Sequence, residues 1–318
     1  MKKRNGEAAG AASGQPTRMA RFGKYMGKHW HGYGFIAPVM LGILFFTLVP
    51  MLQSLYYSFF RYYNVVKPPS GFGLFNFRRM MLDPDFWQAL KVTGIYTVIS
   101  IPVMMVLSFL LALLLNRNFK GIGVFRVLIY LPVVIPVTVS GIIWRNFTEV
   151  DFGLANAFLE ALGLPRFTFF DAADTSMFSL IFFNLWGLGG GMILWLSALK
   201  NVPPALYEAA EIDGAGRGRR LISITIPMCT PMIFYNLIMN IIGSLQTFGS
   251  VYTLTGGSTG EENSLLFYLM KVYNDAFNFQ GKTMGYACAE SWVLFLIIAA
   301  LTAVVFKTSK WVFYGEES

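Results

Sequence analysis

Long stretches without charge alternate with short polar segments along this chain. The apolar stretches run from about Tyr33 to Phe60, Val92 to Leu115, Val127 to Trp144, Met177 to Leu199, Met228 to Val251 and Met284 to Phe306, and among them only the last holds a charge, Glu290. A helix rises about 1.5 Å per residue and the hydrocarbon layer is roughly 30 Å thick, so about 20 mostly apolar residues cross it. The pattern predicts an all-α integral membrane protein with six transmembrane helices, at residues 33–60, 92–115, 127–144, 177–199, 228–251 and 284–306.

Composition agrees, with 55% hydrophobic and 13% charged residues, where roughly 25% charged is usual for a soluble globule. The net charge of +8 belongs to membrane flanks facing anionic lipid rather than to a nucleic-acid partner. Sixteen of the 25 Lys and Arg residues fall at one face if the N-terminal segment is inside, against nine at the other face, which also carries Asp83, Asp85, Glu149, Asp151, Asp171 and Asp174. Cytoplasmic loops carry the basic excess, so both termini are expected in the cytoplasm. Residues 1–32 read as a disordered basic tail rather than a cleaved signal peptide, 33–306 as the membrane domain, 200–227 as its cytoplasmic loop and 307–318 as a cytoplasmic C-terminus. Cys229 and Cys288 fall near opposite faces, too far apart for a disulfide, and with His29 and His31 they offer no metal-ligand spacing.

The loop between the fourth and fifth spans reads "LYEAAEIDGAGRGRRLISITIP", Leu206 to Pro227. Pro203 and Pro204 suit a helix start, Ala205 to Asp213 are good helix formers, and Gly214, Gly216 and Gly218 permit a reversal before a second short segment, Leu221 to Ile226. From these residues alone, a solvated positive-inside loop and a projecting contact knuckle stand about equal. Glu208, Ala209, Ala210, Gly214, Ile224 and Pro227, with Ile226 in the leucine position, resemble the E-A-A-x3-G-x9-I-x-L-P loop of membrane subunits from binding-protein-dependent ABC importers. "LDPDFWQALKVTGIYTV", "LLNRNFKGIGVFRVLIYLP", "QTFGSVYTLTGG" and "MGYACAESWVLF" are similar to the carbohydrate-type permeases, and to the F-type subunit of maltose-like and glycerol-phosphate-like systems.

That resemblance covers most of the chain from Tyr33 onward. It implies a type I importer permease fold in a bacterial plasma membrane, multi-pass, working by alternating access on a carbohydrate. It also implies a heterodimer with a G-type permease, two ATPase subunits below and a solute-binding protein above. ATP and magnesium would belong to the ATPase, leaving this chain without a cofactor. Glu208, Ala209, Ala210, Asp213 and Gly214 would form the coupling helix seated on that ATPase.

The residues give no sign of chemistry of the chain's own. "AFNFQGKT", Ala276 to Thr283, fits a loose phosphate-loop pattern, but it follows no apolar strand and carries two phenylalanines where backbone-exposing glycines belong. Catalytic clusters are also lacking, so the chain reads as a transport component rather than an enzyme. An ion-gradient-driven secondary transporter is the alternative, and of the acid, His or Arg relays it would need, the spans offer Glu290.

Asn236, Asn240, Ser244 and Thr247, with Gly243 beside them, recur at helical spacing on the fifth span. They either hydrogen-bond neighbouring helices or line a hydroxyl-friendly path. Trp186, Gly187 and Gly190 fall near sugar-contacting positions of the maltose-type subunit; the competing account of Trp186 is an interfacial anchor. Glu290 is expected to serve either a structural hydrogen bond, or substrate selection and cation pairing. The acidic outer loop Glu149 to Asp174 is either solvated or a surface for the binding protein.

Overall fold

The computed structural model describes residues 18–64, 67–117, 119–277 and 283–313. The chain divides into two compact units, Met1–Ser54 and Leu55–Ser318. In the first, helix α1 runs Arg18–Ile43, so the segment expected as tail is helical from Arg18 to residue 32; residues 1–17 lie outside the described ones. A π turn, Leu44–Leu48, precedes α2, Val49–Ser58. Its cause is Pro50, which has no N–H for the Phe46 carbonyl, and the ladder shifts so that Val49 N–H bonds Leu44 O. The same event recurs at Leu221–Thr225, where Pro227 follows and Ile226 N–H bonds Leu221 O.

The second unit departs from an all-α fold at once. Strands β1 (Phe60–Asn64) and β2 (Lys67–Phe72) pair antiparallel, Phe60 opposite Phe72 and Tyr62 opposite Ser70. The first strand draws on the aromatic residues Phe60, Tyr62 and Tyr63, a strand-favouring type, and begins at the last residue of the expected first span. Helix α3 (Phe75–Leu82) holds this hairpin through Asn76, whose Nδ2 donates to the carbonyls of Ser58 and Phe60 at 2.8 and 2.9 Å.

Helix α4 (Pro84–Leu115) starts well before Val92, because Asp83 caps it by accepting from Asp85 N–H at 3.1 Å and Pro84 occupies the first helical position. The third, fourth and fifth expected spans are each broken. Helices α5 (Ile122–Val134) and α6 (Val137–Phe147) meet at 96° across Pro136. Helix α7 (Leu154–Ala161) is a short piece between them, and α8 (Ala173–Leu185) and α9 (Leu188–Lys200) bend 50° at Trp186 and Gly187.

After α10 (Pro204–Ile212), the segment of α11 (Arg217–Arg220), the π turn and α12 (Ile226–Met228) meets α13 (Thr230–Leu245) at 66°, where Pro231 cannot donate. Helices α14 (Gly249–Thr255) and α15 (Tyr268–Phe277) separate this from α16 (Met284–Lys307). Among the described residues, three helices, Trp30–Ser58, Pro84–Leu115 and Met284–Lys307, are long and apolar enough to cross a membrane, or up to six if each bent pair is one span.

Three buried clusters hold the second unit together. One gathers Tyr96, Leu180, Phe183, Val251 and Phe267; a second Ala112, Leu115, Met192, Trp195 and Cys229; a third Met80, Phe86, Tyr268 and Tyr286. At Gly189 the backbones of α5 and α9 approach so closely that an added Cβ would stand 2.3 Å from the Ile129 carbonyl oxygen. The glycine run therefore packs helices, whereas the bend itself falls beside Gly187. Both cysteines are free thiols.

Candidate functional site

Helix α10 has no buried residue. Glu208, Ala209, Asp213 and Gly214 are exposed and Ala210 half-buried, so the residues expected to contact an ATPase lie together on one projecting knuckle. The reversal is made by Gly214, at φ +76° with nothing within 4 Å of where a Cβ would stand, while Gly214 N–H bonds Glu211 O at 3.0 Å and Ala215 N–H bonds Ala210 O at 2.8 Å. Left-handed angles favour glycine because other residues bring Cβ against the carbonyl. The inner side of the knuckle is anchored: the Tyr207 and Thr225 hydroxyls lie 2.9 Å apart, and Arg220 Nη1 donates to Glu211 Oε2 at 2.9 Å.

Pattern reading overlooked Ile212, a large apolar side chain 87% exposed beside Asp213. Its signal was present as an isoleucine among charged loop residues.

Toward the other end, Trp186 sits at the break between α8 and α9, 47% exposed, with its ring edge-on to Trp144 at 5.8 Å. Asn184, one turn earlier on α8 than the bend, donates to the Tyr96 hydroxyl at 3.1 Å and to Leu180 O at 2.8 Å. Tyr96 also has the hydroxyls of Thr247 and Ser100 as neighbours. This ties α4, α8 and the segment after α13 into one polar group, which the reading of the fifth span alone did not contain. Gly187 is exposed, and Gly190 sits in ordinary contact with Val133.

The span-five stripe is divided by the structure. Asn236, Asn240, Gly243 and Ser244 lie on α13, but that helix ends at Leu245, and Thr247 falls in the break before α14. Each polar side chain donates back to its own chain: Asn236 to Met232 O at 2.9 Å, Asn240 to Asn236 O at 2.7 Å, Ser244 to Ile241 O at 3.1 Å and Thr247 to Gly243 O at 3.3 Å. These bonds satisfy the donors within the helix and leave acceptor capacity on the amide and hydroxyl oxygens.

Glu290 is fully buried. Its Oε1 lies 2.7 Å from Lys271 Nζ, and the same ammonium reaches Asp83 Oδ2 at 2.9 Å and Asp275 Oδ2 at 2.6 Å. Cation pairing is thus its observed contact, though the ion pair lacks hydrogen-bond alignment at either Glu290 oxygen. Burial works against the Lys271 charge, but Glu290 and Asp275 overcome it and hold the ammonium above the usual lysine range. Pattern reading placed Lys271 among outer surface charges; its i,i+4 spacing to Asp275 was the available hint.

In the acidic loop Glu149 to Asp174, Arg166 pairs with Glu160 and, at 3.7 Å, with Asp151, while Arg145 pairs with Asp171 at 2.8 Å. Arg166 thus answers two of the loop's acids from within it, and Arg145 answers a third from α6. The phosphate-loop-like stretch contributes Ala276 and Phe277 to the end of α15 and Thr283 to the cap of α16; residues 278–282 lie outside the described ones.

Residues 80–313 match the family described as "Binding-protein-dependent transport system inner membrane component". The chain belongs to that family. A probable ABC transporter permease protein of Bacillus subtilis is 38% identical over 89% of this chain and 92% of its own length. The lactose transport system permease protein of Rhizobium radiobacter is 34% identical over 88% and 94%. The trehalose/maltose transport system permease protein of Thermococcus litoralis is 29% identical over 88% and 93%. These relatives are permease subunits, transport components rather than enzymes. Among solved structures, a bacterial ABC transporter involved in alginate import superposes with a TM-score of 0.80 at 22% identity, over 92% of this chain and 100% of that one, which shows the permease fold. As a family member the chain is an inner-membrane component, in keeping with its long apolar helices.

Proposed function

We propose that this permease forms one half of the translocation pathway of an ATP-driven importer for a carbohydrate, in a bacterial plasma membrane with both termini and α10 in the cytoplasm. The observation that carries the reading is α10: a helix with no fully buried residue, reversed by a left-handed Gly214, braced by Arg220 on Glu211 and fastened through Tyr207 to Thr225. Such a helix transmits a push, because its outer face is free to bind and its inner face is fixed. The partners are two ATPase subunits that hold ATP and magnesium, a G-type permease and a solute-binding protein on the outer side.

The carbohydrate class is supported by the lactose and trehalose/maltose relatives. In this chain the pathway is lined by Trp186, Gly187, Gly190, Asn240, Gly243, Ser244 and Thr247, with Tyr96 and Asn184 added to them. An indole face stacks on a sugar ring, and the amide and hydroxyl oxygens accept from sugar hydroxyls. Glu290, being fully buried against Lys271, has a clamp role rather than a lining one.

The test is uptake of labelled oligosaccharide by proteoliposomes holding the full complex. Uptake should require ATP and the binding protein, and Gly214→Leu should insert and assemble but hydrolyse ATP without transport. Uptake by the chain alone on an ion gradient would return the reading to a secondary transporter.

A further inference from the structure

Helix α7 is amphipathic with its polar side turned inward. Asn156 is 2% exposed and bonded through both ends of its amide: Nδ2 donates to the carbonyls of Val150 at 3.2 Å and Phe167 at 3.0 Å, and Oδ1 accepts from Phe167 N–H at 2.9 Å. Ala155 beside it is buried too. Leu154, Phe158 and Leu162 recur every fourth residue, which places them on one helical face, and all three are exposed, Phe158 to 65%. A helix with water around it turns such a row toward the core. Here Asn156 fixes the opposite orientation, and the apolar row faces out.

That row borders a groove of about 700 Å³ between α6, α7 and α8, inside the roughly 300–1,000 Å³ range of ligand sites. Trp144, Phe147, Leu154, Phe158, Phe169 and Phe182 line it, and its other lining residues are alanine and leucine. No lining side chain carries a charge. A sugar or a peptide lying there would leave hydroxyls or amides without partners, whereas hydrocarbon would leave none. The charges of this loop stand elsewhere on α7 and beyond it, where Arg166 pairs with Glu160 and Asp151 on exposed surface.

The groove is continuous with surface that meets lipid. Helices α6 and α8 are each half of a bent pair apolar enough to cross a membrane, in a chain whose family is an inner-membrane component. Exposed apolar side chains run on from the groove along both, Ile142 and Ile143 on α6 and Phe178 on α8. Phe178 lies nearly parallel to the groove's Phe182, with ring centres 6.5 Å apart.

We propose that α7 lies in the membrane–water boundary, on the outer side under the topology proposed above, and that its groove takes the acyl chain of a phospholipid. The bare row and the groove face hydrocarbon, while Glu160 and Arg166 face the water. The site rests on the membrane location of the chain and not on its substrate or its coupling to ATP, so it stands or falls separately from the carbohydrate reading.

The assembled complex in nanodiscs of phosphatidylethanolamine and phosphatidylglycerol tests it. With Cys229→Ala and Cys288→Ala as background, a nitroxide is attached through Phe158→Cys or through Glu160→Cys, and its collisions with dissolved oxygen and with a water-soluble nickel chelate are compared. Oxygen should dominate at residue 158 and nickel at residue 160. Nickel dominating at both would place the face in water, and shielding of residue 158 from both reagents would mean that a protein partner covers it; either result would overturn the proposal. Native mass spectrometry of the complex with its own cysteines gives an independent reading. Ala157→Trp, which fills the groove, should lose one bound phospholipid per copy of this chain at equal assembly, and an unchanged lipid count would also overturn the proposal.

Discussion

The α10 knuckle and the Lys271 clamp, in which Lys271 meets Asp83, Asp275 and Glu290, both interrupt an apolar chain with charge, and they treat it in opposite ways. On the knuckle from α10 to α11, Glu208, Glu211, Asp213, Arg217 and Arg219 stand in the open, with one ion pair, Glu211 to Arg220, tying the loop. At the clamp, Lys271 is 3% exposed and Glu290 fully buried, and the charges answer one another inside the protein. Exposed pairs are worth about 0–1 kcal/mol, so the knuckle's charges stabilise this chain little and remain available to another. Removing one member of a buried pair costs about 3–5 kcal/mol, so the clamp's charges serve the chain itself.

The largest expected effect follows from breaking the clamp. Lys271→Met should lower stability by about 3–5 kcal/mol, because three acids are left without their shared donor; thermal unfolding of the purified complex measures it, and an unchanged midpoint would erase the contrast between the two regions. Next comes Gly189→Ala, whose new Cβ meets the Ile129 carbonyl at 2.3 Å. Overpacking of that kind costs about 1–3 kcal/mol, visible in the same assay. Gly214→Leu should cost about 1–2 kcal/mol through its left-handed angle, yet transport should be lost. Smallest is Arg220→Ala, at about 0–1 kcal/mol, with uptake reduced only as far as the knuckle loses its brace. A larger loss of stability there would mean that the knuckle is built like the clamp.

Hydrophobic periodicity made the apolar segments legible, since charge is excluded from them whatever the tertiary arrangement. The bends at Pro136, Gly187 and Cys229 were not, because a proline or glycine marks where a helix can turn but not by how much. The hairpin from Phe60 to Phe72 was not legible, because the expected span stops at Phe60 and the second strand, Lys67–Phe72, holds two prolines and a glycine that speak against a strand. The knuckle was readable because its elements are contiguous, from Pro203 through Gly214. The clamp was not, because Asp83, Lys271 and Glu290 come from three separate elements and become neighbours only through packing. Tyr96 and Asn184 escaped for the same reason: the bond between them joins α4 to α8.

The measurement that bears most directly on the account is paired ATP hydrolysis and oligosaccharide uptake by the reconstituted complex, comparing wild type with Gly214→Leu at equal assembly. The account predicts hydrolysis that persists while uptake disappears. Uptake at the wild-type rate would contradict it, because an altered knuckle would then have no part in carrying the ATPase's work into the membrane.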